Sequence, residues 1–548
     1  MTNQELADLI FPNTNKTIDD YEKIYPKRNL TAGAKVVRMA PSPTGFVHMG
    51  SLLPALLNRK LATDTKGIFY VRIEDTDGKR SVLNGITGII KDLNDFDIKT
   101  DEGILNEEQE IGQYGPYIQS KRKEIYETYA KYLISIGYAY PCFCTEEKIT
   151  TIRKQQEKNK ERIGYYGKYA KCRDLTNEQR AKKIINGEKY IIRLKSPGDF
   201  NKKIILNDLV CGKIEMPEND LDIVLIKSDG LPIYHFAHVI DDHLMRTTLV
   251  MRGQEWISST PIHMQLFKIL GFNIPQYAHN GLIAKIDENG CKRKLSKRKD
   301  PEAAVSYYKE LGIPVYAVKL YLMTIANSNF EMWLDNNKDK TYDDYKFDFK
   351  KMSSSGSIFD LDKLLNISKN YISRLKASDV YSKTLNWAKQ FDFEFYQLLT
   401  TTKEYSTAIY NIERQQKNPR KDFSCYKEIK NQTWYMYKEL FTKKAYQNIN
   451  TKQNIDIIYD YINNYYNDFD TKEIWYNKLK KLAKNNNYAE EVKEYKENYE
   501  QYKGHVGDIC ELIRLIITTQ AKTPDLYEIL KLLGKEEIKR RLDLYSTI

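Results

Sequence analysis

The stretch from residue 35 to 67 narrows the fold more than any other. It opens on the apolar run KVV, passes through the loop RMAPSPTGFVHMGS at residues 38–51 and continues into LLPALLNRKLATDTKG. The first run is short and β-branched, as a strand should be, and the last repeats its apolar positions at helical spacing until Gly67 closes it. The pattern then recurs: the strand-like GIFYVRIEDTD is followed by the helical TGIIKDLNDF and KRKEIYETYAKYLISIGYA, all before about residue 140. Strands alternating with helices in this order predict an α/β domain with a parallel sheet.

From about 141 to 220 the character changes to PCFCTEE, a charged helix TIRKQQEKNKER, a Gly/Tyr/Lys loop and short strands such as KYIIRLK. This segment is expected to be a separate inserted α+β module. The α/β pattern then returns in LDIVLIKSDGLPIYHFAHVIDDH, TTLVMRGQEW and STPIHMQLFKILGF, so the first domain is split by the insertion. Beyond about residue 300 strands nearly vanish, and segments such as VSYYKELG, ISRLKASDVYSKTLNWAKQF and GDICELIRLIITTQ have helical spacing. There are no internal repeats.

A chain of 548 residues with 41% hydrophobic content has enough apolar material for several cores. It has no run of about 18 apolar residues that would span a bilayer. The first residues, MTNQELADLIFPNTNKTIDDYEK, carry acids where a secretion signal needs a basic start and an apolar centre, so a cytoplasmic protein without membrane contact is expected. The seven cysteines are scattered, with only Cys142 and Cys144 close together, and are expected as thiols rather than as a disulfide framework. A net charge of +12 favours a polyanionic partner, although 42 tyrosines and abundant asparagines also fit a compositional bias, so the charge supports this conclusion without deciding it.

Strand-to-helix loops attract phosphates, because free N–H groups and the positive end of the helix dipole point at the ligand. Gly45 and Gly50 have the G-x-x-x-x-G spacing of a P-loop, but Ser51 and Leu52 stand where that motif needs lysine and a hydroxyl residue. The dinucleotide fingerprint is absent as well. Read alone, Pro41, Pro43 and Gly45 also fit an ordinary tight turn. A second loop, CKRKLSKRKD at 291–300, sets six basic residues around Leu295 and Ser296 after the last strand of the split domain. Alone it is a solvated charged turn. In that position it is a mobile basic loop able to close on a nucleotide at the sheet's C-terminal edge.

Together, HMGS at 48–51 and KLSKR at 294–298 resemble the two ATP-binding motifs of class I aminoacyl-tRNA synthetases, and APSPTGF before the first is similar to the glutamyl branch. The likeness runs on through VRIEDTD, YHFAHVIDDHLM, MRGQEW and the region NSNFEMW to SSSGSIFDLDKL, covering most of residues 35–365. It implies a multidomain protein. Residues 1–34 form an extension without an assigned role, and residues 35–140 and 221–300 form a Rossmann-like parallel-sheet catalytic domain. The module at 141–220 would bind the tRNA acceptor end, residues 301–370 a helical stem-contact region, and residues 371–548 an all-helical anticodon-binding region.

The implied reaction joins L-glutamate to ATP as an adenylate and then to tRNA, with Mg²⁺ carried on the ATP and the enzyme acting as a monomer. No covalent enzyme nucleophile is needed; the protein holds two anions in line and neutralises developing charge. The resemblance assigns phosphate contacts to His48, Gly50 and Ser51, and loop functions to Lys294, Ser296 and Lys297, with Lys297 on the departing pyrophosphate. Arg38 and Arg252 would grip the carboxylates of glutamate, for which a guanidinium fork is suited. Ala40, Ser42, Glu74, Tyr234 and His238 would complete the pocket. Ser51 replaces the second histidine of the class pattern, and Leu295 and Arg298 replace its methionine and final serine; all three changes are common in the glutamyl branch.

Glutaminyl-tRNA synthetases usually read PPEPNG where this chain has APSPTG, and a tRNA-base-modifying paralogue would lack the helical C-terminal third. An enzyme that also charges glutamine tRNA with glutamate is the alternative that these residues leave open. A tRNA-binding protein without catalysis is opposed by His48, Lys297, Arg38 and Arg252. In the insertion, Cys142, Cys144 and Cys172 resemble the zinc-binding insertion of some relatives, and a fourth ligand is expected from Tyr166, Tyr169 or Cys211. In the C-terminal third, NQTWYMYKELFTKKAYQ interleaves lysines with tyrosines, and most of these tyrosines are expected in the core of a helical bundle.

Overall fold

The computed structural model describes residues 1–43, 46–77, 82, 84–296, 299–446 and 455–547. The chain divides into two compact units, residues 1–307 with 319–359, and residues 308–318 with 360–548. The first unit begins with helices α1 (Asn3–Ile10) and α2 (Ile18–Ile24), each started by a reciprocal cap, Thr2 with Glu5 and Thr17 with Asp20. Their buried Leu6, Ala7, Ile10, Tyr21 and Tyr25 share a core with the sheet domain, and Arg28 forks onto Glu102 at 2.6 and 2.9 Å. The N-terminal segment thus folds as part of this unit.

Strand β1 (Val36–Met39) is buried along its whole length, as a central parallel strand covered on both faces should be. It leads into α3 (Met49–Asp64) and then β2 (Ile68–Val71), which pairs with it in parallel, Val36 opposite Ile68. Gly67 acts differently from the helix-closing role expected of it. The left-handed residue after α3 is Lys66, at φ 52°, whereas Gly67 is required because a Cβ there would lie 1.9 Å from the Lys35 carbonyl oxygen. Beyond α4 (Gly85–Asp95), β3 (Glu102–Ile104) adds in parallel to β2 and β4 (Glu110–Ile111) closes that edge antiparallel.

Helix α5 (Lys123–Ser135) leads to β5 (Ala139–Cys142), α6 (Glu146–Lys158), α7 (Asn177–Ile185), β6 (Ile191–Leu194), β7 (Lys203–Asp208), β8 (Gly212–Pro217) and β9 (Val224–Ile226). This segment is not self-contained. Strands β5, β6 and β9 form one sheet, while the β7–β8 hairpin joins the next one.

That sheet holds β10 (Leu249–Gly253) and β11 (Gln276–Asn280), parallel to each other, with helix α8 (Tyr234–Leu244) before them and α9 (Thr260–Ile269) between; β7 pairs with β11 through Asp208 and Tyr277. Thr248 anchors β10 beside β1, donating from its N to the Val36 carbonyl at 3.0 Å and accepting from Val36 N on its hydroxyl at 2.8 Å. The chain therefore runs outward from β1 through β2 and β3 on one side and from β10 through β11 on the other. At such a switch point the strand ends leave a crevice. A small sheet of β12 (Ile283–Ile286), β13 (Lys292–Lys294) and β14 (Ser357–Ile358) carries the second basic loop.

In the second unit the described residues form helices and single helical turns, with an isolated bridge between Ala489 and His505. Its core gathers Val380, Leu399, Ile429, Leu479, Ile513 and Leu530 with many tyrosines. Tyr435, Tyr437 and Tyr446 of the lysine-rich segment belong to that core, as expected for most of its tyrosines. No described helix is long and apolar enough to cross a membrane.

Candidate active site

The crevice at the C-terminal ends of β1 and β10 is a cleft of about 240 Å³. Arg38, Met39 and Ala40 reach it from β1 and the residue after it, Met251 to Gly253 from β10, Tyr234 from the start of α8, and Glu74 from the segment following β2. His48, Gly50 and Ser51 face it at the start of α3, and Lys294 and Leu295 border it from the second loop. Of the residues singled out from the sequence, Arg38, Ala40, His48, Gly50, Ser51, Glu74, Tyr234, Arg252 and Lys294 meet in this one space.

The start of α3 shows why Ser51 occupies the place of a second histidine. His48 is the N-cap: its Nδ1 accepts from Ser51 N at 3.2 Å, and Ser51 Oγ accepts from His48 N at 3.1 Å. The pair forms a reciprocal cap that fixes the imidazole against the helix end. Gly50 keeps that arrangement open, because a Cβ on it would lie 3.0 Å from the His48 ring.

The two arginines differ in their surroundings. Arg38 is buried against Asp242, with Nε 3.2 Å from a carboxylate oxygen and Nη2 3.3 Å from His238 Nδ1. Arg72 shares the same carboxylate at 2.7 Å. Burial pushes the Asp242 carboxyl up, and the two guanidiniums more than offset this, holding it below the usual range. Glu74 goes the other way; burial raises it against the pull of Arg72 and Arg38.

Arg252, 6% exposed, has no carboxylate partner among the described residues. Its partners are the Tyr234 hydroxyl at 3.0 Å, Thr260 Oγ1 at 3.1 Å, His263 Nδ1 and the Trp256 carbonyl, both at 3.3 Å, and His279 Nε2 at 3.1 Å. Burial, followed by the nearby arginines, pushes His238 well below the ordinary imidazole range, and burial, followed by His238, does the same to His263, so both rings are neutral. A buried guanidinium without a counter-charge is costly unless an anion completes it. The cleft therefore has a place for an anionic group on its floor.

Three expectations fall outside the cleft. His238 lies behind it, stacked on Tyr234 with ring centres 5.6 Å apart, and supports Arg38 rather than facing the space. Ser42 is exposed and is not among the described lining residues. Ser296 serves the base of its loop: its N–H donates to Asp300 at 2.8 Å, and Arg293 forks onto the same carboxylate at 2.6 and 2.7 Å. Hydrogen bonds from Arg293 hold Asp300 well below the usual carboxylate range. Lys294 Nζ pairs with Glu255 at 2.9 Å. Lys297 and Arg298 lie outside the described residues. Asp242 and Glu255, which the sequence reading did not single out, sit within its quoted motifs YHFAHVIDDHLM and MRGQEW; only their buried or paired state marks them.

The three cysteines of the insertion also meet, their sulfurs all within 4.8 Å of one another. A tetrahedral zinc with Zn–S of about 2.3 Å spaces its sulfurs about 3.8 Å apart, and Cys144 and Cys172 are 3.7 Å apart. The expected fourth ligands do not stand there. Tyr166 donates to the Arg162 carbonyl, Tyr169 to Glu161, and the Cys211 thiol lies against the His279 carbonyl. Tyr165 takes the place instead, its hydroxyl 3.4 Å from Cys142 and 3.3 Å from Cys144. Tyr165 is buried in one cluster with Cys142 and Cys172, whereas Tyr166 is half-buried.

Comparisons with known proteins agree with this geometry. Residues 35–365 match the family of class I tRNA synthetases (E and Q), catalytic domain, and residues 394–545 match an anticodon binding domain. The chain is 47% identical to the glutamate–tRNA ligase of Clostridium beijerinckii, over all of both chains, and 45% identical to that of Acetivibrio thermocellus, over 99% of each. Among solved structures it resembles a glutamate tRNA ligase from Elizabethkingia meningosepticum in complex with its amino acid, with a TM-score of 0.75 and 27% identity over 93% of this chain and 98% of that one.

Proposed function

The chain belongs to the class I tRNA synthetases of the glutamate and glutamine branch, and on that footing we propose that its cleft activates L-glutamate with ATP and passes it to tRNA. The observation that carries this reading is Arg252, buried at the cleft floor beside Arg38 and lacking a carboxylate of its own. A carboxylate of the amino acid supplies the anion that Arg252 lacks. Arg252 receives one carboxylate, and Arg38, held in place by Asp242 and His238, faces the other. Ala40, Glu74 and Tyr234 border the amino acid, and the Glu74 carboxylate, which lines the cleft, faces its ammonium group.

In the first step a carboxylate oxygen of glutamate attacks the α-phosphorus of ATP, and the bond to pyrophosphate breaks. The start of α3, with His48, Gly50 and Ser51, holds the phosphates, and Mg²⁺ arrives with them. Lys297 and Lys294 of the second loop neutralise the leaving pyrophosphate. In the second step a ribose hydroxyl at the tRNA 3′ end attacks the acyl carbon, and AMP leaves. The helical unit reads the tRNA anticodon, and the enzyme works as a monomer where tRNA and ATP are found, in the cytoplasm. A zinc ion held by Cys142, Cys144, Cys172 and the Tyr165 phenol would brace the insertion as a structural site.

Charging assays with purified glutamate and glutamine tRNAs, each with either amino acid, test this reading. Glutamate should load glutamate tRNA and glutamine should load neither; loading of glutamine tRNA with glutamate would mark the broader specificity. Exchange of pyrophosphate that depends on glutamate should require tRNA, and robust exchange without tRNA would contradict membership of the glutamyl branch.

A further inference from the structure

Arg252 is held from behind by buried groups that the reaction does not use. Its Nε donates to His279 Nε2 at 3.1 Å, and His279 Nδ1 meets Asp208 Oδ2 at 2.6 Å. Asp208 ends β7 and His279 lies on β11, and both are buried. One proton pattern satisfies the line. The guanidinium always carries hydrogen on Nε, so His279 Nε2 must offer its lone pair. The ring proton then sits on Nδ1, facing a carboxylate that can only accept.

Asp208 is itself pinned. Its Oδ1 accepts from Val210 N at 3.0 Å and Cys211 N at 2.9 Å, and its carboxylate accepts from His279 N at 3.2 Å. Burial pushes the Asp208 carboxyl up, and its bonds with His279 and the Cys211 N–H more than offset this; burial pushes the His279 imidazole down. Both shifts agree with a carboxylate beside a neutral ring.

We infer that Asp208 and His279 are positioning residues that fix the rotation of the Arg252 guanidinium, so that it meets a glutamate carboxylate already oriented. The inference rests on the reading of Arg252 as the carboxylate ligand. A guanidinium fork binds a carboxylate well only when the two planes coincide, and a long arginine side chain must otherwise give up several freely rotating bonds on binding. The negative charge sits one residue behind the arginine. At that distance it orients the ring without competing with the ligand. The hairpin of β7 and β8, remote from β11 in sequence, thereby becomes part of the amino-acid site.

Charging kinetics with glutamate, ATP and tRNA varied separately test this in D208N, H279A and H279Q, with R252Q as a control. Asparagine keeps the shape of Asp208, but its amide can donate to His279 Nδ1, which moves the ring proton to Nε2 and sets it against Arg252. Glutamine at 279 can place a carbonyl oxygen where Nε2 stands. The glutamate KM should rise about 10- to 100-fold in D208N and H279A, with ATP and tRNA values within about twofold, by analogy with losses of outer partners elsewhere. H279Q should recover to within about threefold of the wild type.

A folded D208N whose glutamate KM stays within about twofold of wild type, a joint rise of the glutamate and ATP values, or an H279Q as impaired as H279A overturns the inference. If D208N does not fold, the pair at 279 decides on the same criterion. R252Q separates the two failures. An unchanged glutamate KM there removes the site reading itself, whereas a large rise there with a silent D208N removes only the positioning line.

Discussion

Around the cleft the first unit buries charge. Arg38, Arg72 and Arg122 lie with Asp241 and Asp242 out of solvent, next to neutral His238, His263 and His279. The second unit fills its interior with aliphatic side chains and with Tyr410, Tyr437, Tyr446, Tyr461 and Tyr466. Its buried arginines are held by partners within the helical fold: Arg414 donates to the Ile372 and Tyr410 carbonyls, at 2.5 and 2.6 Å, near the end of the helix Leu361–Arg374, and Arg541 to the Ile517 carbonyl at 2.8 Å and the Glu537 carboxylate at 2.7 Å. Buried charge partnered within the fold holds helices together. Buried charge left incomplete beside a cavity marks a binding site, because nothing in the fold alone repays its desolvation.

The contrast can be broken most severely at Asp242. Replacing it with alanine leaves Arg38 and Arg72 without their shared carboxylate and should cost about 3–5 kcal/mol of the first unit's stability in denaturant unfolding; a loss below about 1 kcal/mol would mean that the arginines find other partners easily. Next comes Lys297→Ala, which should lower the activation rate about 10²-fold while changing the ATP KM little, as removal of a single transition-state donor does. Equal turnover would remove the second loop from the chemistry.

Smaller and more local is Cys144→Ser. Untagged protein should contain close to one zinc per chain, and this variant should lose it with melting confined to the insertion; metal-free, well-folded wild type would contradict the metal site. Least of all should be Tyr437→Phe, which removes a hydroxyl donating to Ser406 Oγ at 3.0 Å within the helical core. It should cost about 1 kcal/mol of stability and leave charging kinetics unchanged. A kinetic effect there would blur the division between scaffold and site.

Much of this was legible in the residues. The alternation of apolar runs predicts β1, α3, β2 and α9 because period and burial are local properties, and the loop at 38–51 leads to the cleft through its own chemistry. What escaped was set by distance along the chain. The pairing of β7 with β11 joins Asp208 to Tyr277, and no local pattern encodes that register. For the same reason Asp208 and His279 went unnoticed, and His238 could be named without its place behind Tyr234 being visible. The sequence points equally to Tyr166 and Tyr169, and only the fold shows that the hydroxyl beside the cysteines is that of Tyr165. His48 and Ser51 show the reverse: a departure from the class pattern that looks like a loss is a helix cap once the geometry is known.

The central claim is that the uncompensated Arg252 binds a carboxylate of glutamate. Its most direct test is the R252Q variant, with kcat/KM for glutamate and KM for ATP measured on the same preparation. Losing a desolvated charge contact should lower kcat/KM for glutamate about 10²- to 10³-fold with ATP binding nearly unchanged. A folded R252Q that charges tRNA at the wild-type kcat/KM for glutamate would contradict the account.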